Sequence, residues 1–241
     1  MDEYNKPVQE KSTKKLFIDE IERRHISKLV HFTTNLNLCS IFKEKFILPR
    51  DVLEGSEDPN LYNSDFMDSY RFDGKDHINC SIEKINSRMF EIKRNNLKGE
   101  EHCFCILAID PKYLYRETTR FSVTNAANSY NRNVIGIDGT FEKFLAMFSD
   151  TVSYRTSYCS NKVSRSADTG DNVPTDIQAE VLIYDPIAVE DLIAIYFEDE
   201  LKMKITKSIL ELECPEYDLA ILKFAPELFK TDRFFCYRGC E

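Results

Sequence analysis

The segment Pro174-Thr175-Asp176-Ile177-Gln178-Ala179-Glu180-Val181-Leu182-Ile183-Tyr184 reads as a strand with a glutamine and a glutamate two residues apart near its start. Side chains on a strand alternate between faces, so Gln178 and Glu180 should share one face while Ala179 and Val181 take the other. A carboxylate placed there can stabilise a developing positive charge and can accept a proton. It also fits a solvated edge residue. His31 has two readings as well, a hydrogen-bonding group with Thr33 and Asn37 adding donors, or a satisfied core histidine. Arg71 offers a guanidinium fork that matches two oxygens of an anion, or it is a solvated loop cation.

The elements that must position these groups can be read from spacing. Residues 28–33 form a strand, and Leu38, Ile41, Phe42 and Phe46 recur at helical spacing before Pro49 closes the unit. Strands are expected at 77–82, at 102–109 and at 191–197, the second so apolar that it should be central. A short helix is expected at 16–24 after a frayed polar tail, residues 1–15, and another at 142–148; residues 124–129 read as a turn and helix start, and 131–139 as a polar loop. Residues 51–76 and 156–174 read as long loops, the first carrying Arg71 among Tyr62, Phe66, Tyr70 and Phe72. A last strand is expected at 234–237.

Composition bounds the class. The chain has 241 residues, 42% hydrophobic and 30% charged, with seven glycines, which suits one soluble domain over 1–241. The polar N-terminus and the lack of a long apolar run argue against export and against a membrane span, and point to the cytoplasm. Eight cysteines without a C-x-x-C pair suit buried thiols in a reducing compartment, and no metal is expected. A net charge of −9 disfavours a long nucleic-acid groove, so any such ligand must meet a local patch. Arg88, Lys93, Arg94 and Lys98 form that patch, or a solvated helix face. With the aromatic residues of 51–76 it would suit a short single-stranded site that combines phosphate contacts with stacking.

Several separated pieces now fall into one order. His31-Phe32-Thr33-Thr34-Asn35-Leu36-Asn37-Leu38 comes first, then Arg71 in a loop, then Ser81-Ile82-Glu83-Lys84-Ile85-Asn86-Ser87-Arg88-Met89. Thr124-Asn125-Ala126-Ala127 and Gln178-Ala179-Glu180 follow. Together they resemble the DarT family of ADP-ribosyltransferase toxins, over roughly residues 28–197. The resemblance implies an α+β ADP-ribosyltransferase fold, in which a split, mostly antiparallel sheet pair forms an NAD cleft with flanking helices. It implies NAD as the ADP-ribose donor, with His31, Thr33, Asn37, Leu38, Arg71, Asn86 and Met89 binding it and Glu180 and Arg71 catalytic. Gln178, Asn125, Arg88 and Arg94 would meet the acceptor, a base of single-stranded DNA by resemblance, with RNA left open; Asn125 departs from the family pattern, where an acid is common. An antitoxin protein is the implied partner, and phage defence an implied setting. A protein acceptor, or a silent binding domain that has lost turnover, remain as alternatives, and residues 198–241 have no assigned role.

Overall fold

The computed structural model describes residues 6–56, 74–97, 99, 102–156 and 159–230. In chain order these form α1 (Lys6–Arg24), β1 (Leu29–Thr34), α2 (Asn37–Glu44), β2 (Phe46–Ile47), α3 (Arg50–Glu54), β3 (Ile78–Ile82), α4 (Ser87–Asn96), β4 (Phe104–Ile109) and β5 (Arg120–Ser122). They continue through α5 (Phe141–Ala146), β6 (Thr151–Arg155), β7 (Ser160–Ser164), β8 (Glu180–Ile183), β9 (Ile187–Ala188), β10 (Leu192–Phe197), α6 (Glu200–Glu213) and β11 (Leu222–Phe224). Short 3₁₀ turns and one π-helical turn, Asn131–Ile135, complete the connections.

Seven strands lie in the order β11-β10-β4-β1-β3-β8-β5, with β10–β11 the one parallel pair among them. The sheet is split. β1 pairs with β4 along its whole length, Leu29↔Ile109 to Thr34↔Phe104, but meets β3 at only two positions, Leu29↔Ile82 and Val30↔Ser81. Beyond Val30 the two strands part, and Ile78–Cys80 of β3 pairs with β8 instead. The result is an antiparallel-dominated α+β fold with two half-sheets that open from a shared seam.

Burial follows the period-two pattern. β4 is buried at all six positions, as its unbroken apolar run requires of a strand covered on both faces. Cys105, Leu107 and Ile109 join the main core with α2 residues Leu38 and Phe42 and with Leu210 of α6. Phe104 and Ile106 look the other way, into a smaller cluster with Val30, Ile85, Phe229 and Phe90 of α4. All six cysteines among the described residues are free, and four are buried. No helix among the described residues is long and apolar enough to cross a membrane.

Four expectations change. α1 begins at Lys6 and not at Leu16, with Pro7 in its first turn, where a missing N–H costs nothing. The expected loop at 156–174 contains β7, which closes a hairpin with β6; the Ser- and Asn-rich strand masked an alternation of exposed and half-buried residues. The expected polar loop at 131–139 opens with the π-helical turn, closed by Gly136 N–H donating to Asn131 O across 2.8 Å, with Gly136 at φ 85°. Residues beyond 197 have a clear structural place, since α6 covers the main core and β11 extends the sheet. The strand expected at 234–237 lies outside the described residues, as do Arg71 and Lys98 and the aromatic residues at 62, 66, 70 and 72.

Candidate active site

β8 does not begin at Pro174. Asp176 accepts a hydrogen bond from Gln178 N–H through Oδ1 (2.9 Å) and from Ala179 N–H through its carbonyl (2.9 Å), which makes residues 176–179 a turn. The strand therefore starts at Glu180, with Ser122 of β5 opposite it. Gln178 sits in the preceding turn, so the expected sharing of one strand face is replaced by two separately fixed positions. Its Nε2 donates to Tyr154 Oη on β6 at 3.3 Å.

Glu180 is 8% exposed, which removes the solvated-edge reading. Ala126 N–H donates to its Oε2 at 2.7 Å. The turn that presents Ala126 is built from side chains: Ala127 N–H donates to Asn125 Oδ1 (2.8 Å), Asn131 N–H to Asn128 Oδ1 (2.9 Å), and Ser122 Oγ to Thr124 O (2.6 Å). Asn131, fully buried, donates through Nδ2 to Ser122 Oγ (2.5 Å) and to Asn125 O (3.3 Å). Asn125 is thus a turn-builder beside Glu180. On the other flank, the Cys80 thiol of β3 is pushed up, first by burial and then by the charge of Glu180.

Asp176 is 1% exposed. Burial pushes its carboxyl above the ordinary range, against the lowering influence of Thr124, the Gln178 backbone and Arg88. Thr124 Oγ1 and Asp176 Oδ2 are both buried, and neither makes a hydrogen bond with a described residue, which leaves two polar atoms beside the start of β8.

The donor-side candidates lie on β1 and on α2 and α4, which pack on opposite faces of the sheet. His31, on β1 one residue past the last β1–β3 pair, reaches across with Nδ1 to Asn79 O of β3 at 2.9 Å. A carbonyl only accepts, so Nδ1 carries the proton. Asn37 Nδ2 donates to Thr33 Oγ1 (2.9 Å), tying the first turn of α2 to β1. Leu38 is fully buried and acts by seating that helix. Asn86 caps α4, accepting Met89 N–H at 3.1 Å, while its buried Nδ2 has no partner among the described residues. That leaves a donor suited to a carbonyl or hydroxyl of a dinucleotide.

Met89 is half-buried and Arg88 exposed at the start of the same helix. Arg94, two turns on, is ion-paired with Glu198 at 2.7 Å and is not brought to Glu180 by any described contact. Among the described residues no three His, Cys, Asp or Glu side chains gather to hold a metal. Asp176, Asn131 and Tyr154 were missed in the sequence. Asp176 carried a signal, an acid two residues before the backbone N–H it bonds, just after a proline; Asn131 and Tyr154 carried none.

None of the curated proteins matches the sequence significantly. Solved structures do. Thermus sp. 2.9 DarT in complex with ADP-ribosylated ssDNA is similar at TM-score 0.57 and 14% identity, over 86% of this chain and 97% of that one. The same protein in complex with NAD+ gives TM-score 0.55 at 14% identity, over 85% and 98%. Thermosipho africanus DarTG in complex with ADP-ribose gives 0.49 at 17%, over 84% of this chain and 51% of that one. At these identities the likeness to the two Thermus structures is one of fold. The family is fixed by sequence: residues 30–220 match the model described as ssDNA thymidine ADP-ribosyltransferase, DarT, and the chain belongs to that family.

Proposed function

We propose that this chain transfers ADP-ribose from NAD to a thymidine base in single-stranded DNA. The observation that carries the reading is Glu180, buried at the first position of β8 and fixed by Ala126 N–H, in a chain of that family. The bond from the nicotinamide nitrogen to the ribose C1′ breaks, nicotinamide leaves with the electron pair, and C1′ takes on oxocarbenium character. A carboxylate held beside C1′ stabilises that charge. A thymine base offers one ring N–H, because its other ring nitrogen carries the deoxyribose. As that nitrogen bonds to C1′, its proton passes to Glu180.

The donor would be held by His31, Thr33 and Asn37 at the seam, by Asn86 and Met89 at the start of α4, and by Arg71 on its pyrophosphate, with Leu38 supporting from the core. Gln178 and Arg88 would face the acceptor, with Arg94 further along α4 and Asn125 acting through the Ala126 turn. RNA has no support beyond the sequence resemblance. The reading also includes an antitoxin partner and work in the cytoplasm, where NAD and single-stranded DNA occur together.

The test is mass spectrometry of single-stranded oligonucleotides after incubation with NAD. A single ADP-ribose increment is expected on DNA that contains thymidine and none on the same DNA lacking it. Glu180→Gln should lower the rate by about 10²–10⁴-fold, the usual worth of a general base. Increments on RNA or on protein alone would refute the assignment.

A further inference from the structure

Gln178 and the turn that fixes Glu180 are both tied to a two-stranded ribbon, β6–β7. Val152, Tyr154 and Val163 turn inward to the main core. Outward, Thr151 pairs with Ser164, Ser153 with Lys162 and Arg155 with Ser160. That face is made of hydroxyls and two cations, and residues 151–167 hold no carboxylate in a chain of net charge −9. Arg165 is committed to structure, 2.9 Å from Val173 O and 4.0 Å from Asp171. Arg155 lies over the Tyr130 ring at 5.8 Å, and neither it nor Lys162 has a carboxylate partner among the described residues.

Two short links join the ribbon to the catalytic carboxylate. Tyr154 Oη holds Gln178, two residues before Glu180. Arg155 O accepts from Asn128 Nδ2 at 3.0 Å, two residues after the Ala126 N–H that fixes Glu180.

We infer that this outward face guides the sugar–phosphate backbone of the acceptor strand, with Arg155 and Lys162 on phosphates and the serine and threonine hydroxyls bonding phosphate oxygens. The inference rests on the transfer reading above. An acid-free, hydroxyl-rich face of exposed cations suits a phosphate track because charge-assisted bonds and hydroxyl donors serve every sequence alike. Its short extent also fits an acidic chain that must bind only a few nucleotides.

The test compares wild type with an Arg155→Gln/Lys162→Gln double variant and with a Lys204→Gln/Lys207→Gln control. The control loses the same charge from α6, which packs beside the β11 edge of the sheet, the end opposite β8. The ribbon variant should raise the KM for a thymidine-containing oligonucleotide about ten-fold at low salt, with kcat within about two-fold. The slope of log KM against log salt should fall by about 1.4, from ~0.7 for each phosphate contact on a single strand. The control should match wild type, and Arg155→Lys/Lys162→Arg should restore KM, which separates lost charge from misfolding. A ribbon variant that tracks the control in KM and slope overturns the inference while the transfer reading stands. A wild type that modifies no single-stranded DNA overturns both, and modification of a protein in its place assigns the face to a different acceptor.

Discussion

Replacing Asn131 by alanine removes a carboxamide that sits fully buried between Ser122 and the turn presenting Ala126. Ser122 Oγ and Asn125 O each lose a donor. Asn125 O keeps the Asn128 N–H at 3.1 Å, and Ser122 Oγ still donates to Thr124 O, so neither atom is left wholly unbonded. At about 0.5–1.5 kcal/mol for each hydrogen bond lost, the loss is about 1–3 kcal/mol in all. For a chain of this size that lowers Tm by roughly 2–12 °C. The larger effect is expected in turnover. If the 124–128 turn relaxes by about 1 Å, Ala126 N–H no longer fixes Glu180, and kcat should fall about 10²-fold. Asn131→Asp should do the same, because a carboxylate cannot donate to Ser122 Oγ or to Asn125 O, and it could only accept the serine hydroxyl by drawing it away from Thr124 O.

The assay is single-turnover oligonucleotide modification at saturating NAD, well below the variant's Tm, beside a thermal melt. The decisive comparison is a double-mutant cycle with Glu180→Gln. A residue that acts through Glu180 adds little once Glu180 is disabled, whereas an independent contribution multiplies. An Asn131→Ala variant with lowered Tm but kcat within about three-fold of wild type would refute the coupling, as would a fully additive cycle.

Asp176→Asn should stabilise the fold at neutral pH. Asparagine keeps the oxygen that accepts Gln178 N–H, while the carboxyl's folded pKa lies above its ordinary 3.8 because burial disfavours the charge. A raised carboxyl pKa means stability that is full below the unfolded value and is lost as pH rises through the folded one, so wild type carries that loss at neutral pH and the variant does not. Melting curves across the acid range should therefore show the gap closing towards pH ~3.8; a variant that melts lower than wild type at pH 7 would mean that Arg88 and Thr124 outweigh burial. Lys45→Gly should raise stability by about 1 kcal/mol, because Lys45 ends α2 at φ 65°, where only glycine escapes the Cβ clash; a melt shifted upwards by about 2–4 °C is the expected reading.

What the sequence disclosed follows from which signals are local. Strands β1, β3, β4 and β10 and helices α2 and α5 were readable because their apolar periods are strong and Pro49 and Asp110-Pro111 punctuate them. Motif order singles out Glu180, yet its relation to Gln178 is not legible, since the apolar run after Pro174 hides a turn made by one aspartate. Neither β6 nor β7 is legible in the sequence; Ser160, Asn161 and Ser164 give β7 a loop-like composition, and only pairing with the partner strand makes the two a ribbon. α6 was passed over although Met203 and Leu210 keep helical spacing towards the core, because no motif reached that far. The buried amide of Asn131 contacts residues six to nine positions away across a π-helical turn, a connection that no periodicity encodes.

Glu180 depends on parts of the chain that differ in what stabilises them. Its strand is set by the core, through Val181 and Ile183, both fully buried. Its carboxylate is fixed by Ala126 N–H in a turn held by side-chain hydrogen bonds, and the Asp176 turn just before the strand is held in the same way. Core substitutions should therefore lower Tm while the surviving folded protein keeps its kcat, since the half-sheets meet along a seam defined by backbone pairing. Substitutions in the turns should divide the other way, with small changes in Tm and large ones in kcat. Asn131 is the exception that ties the two behaviours together, because its amide is both fully buried in the fold and bonded to the turn that aims the carboxylate.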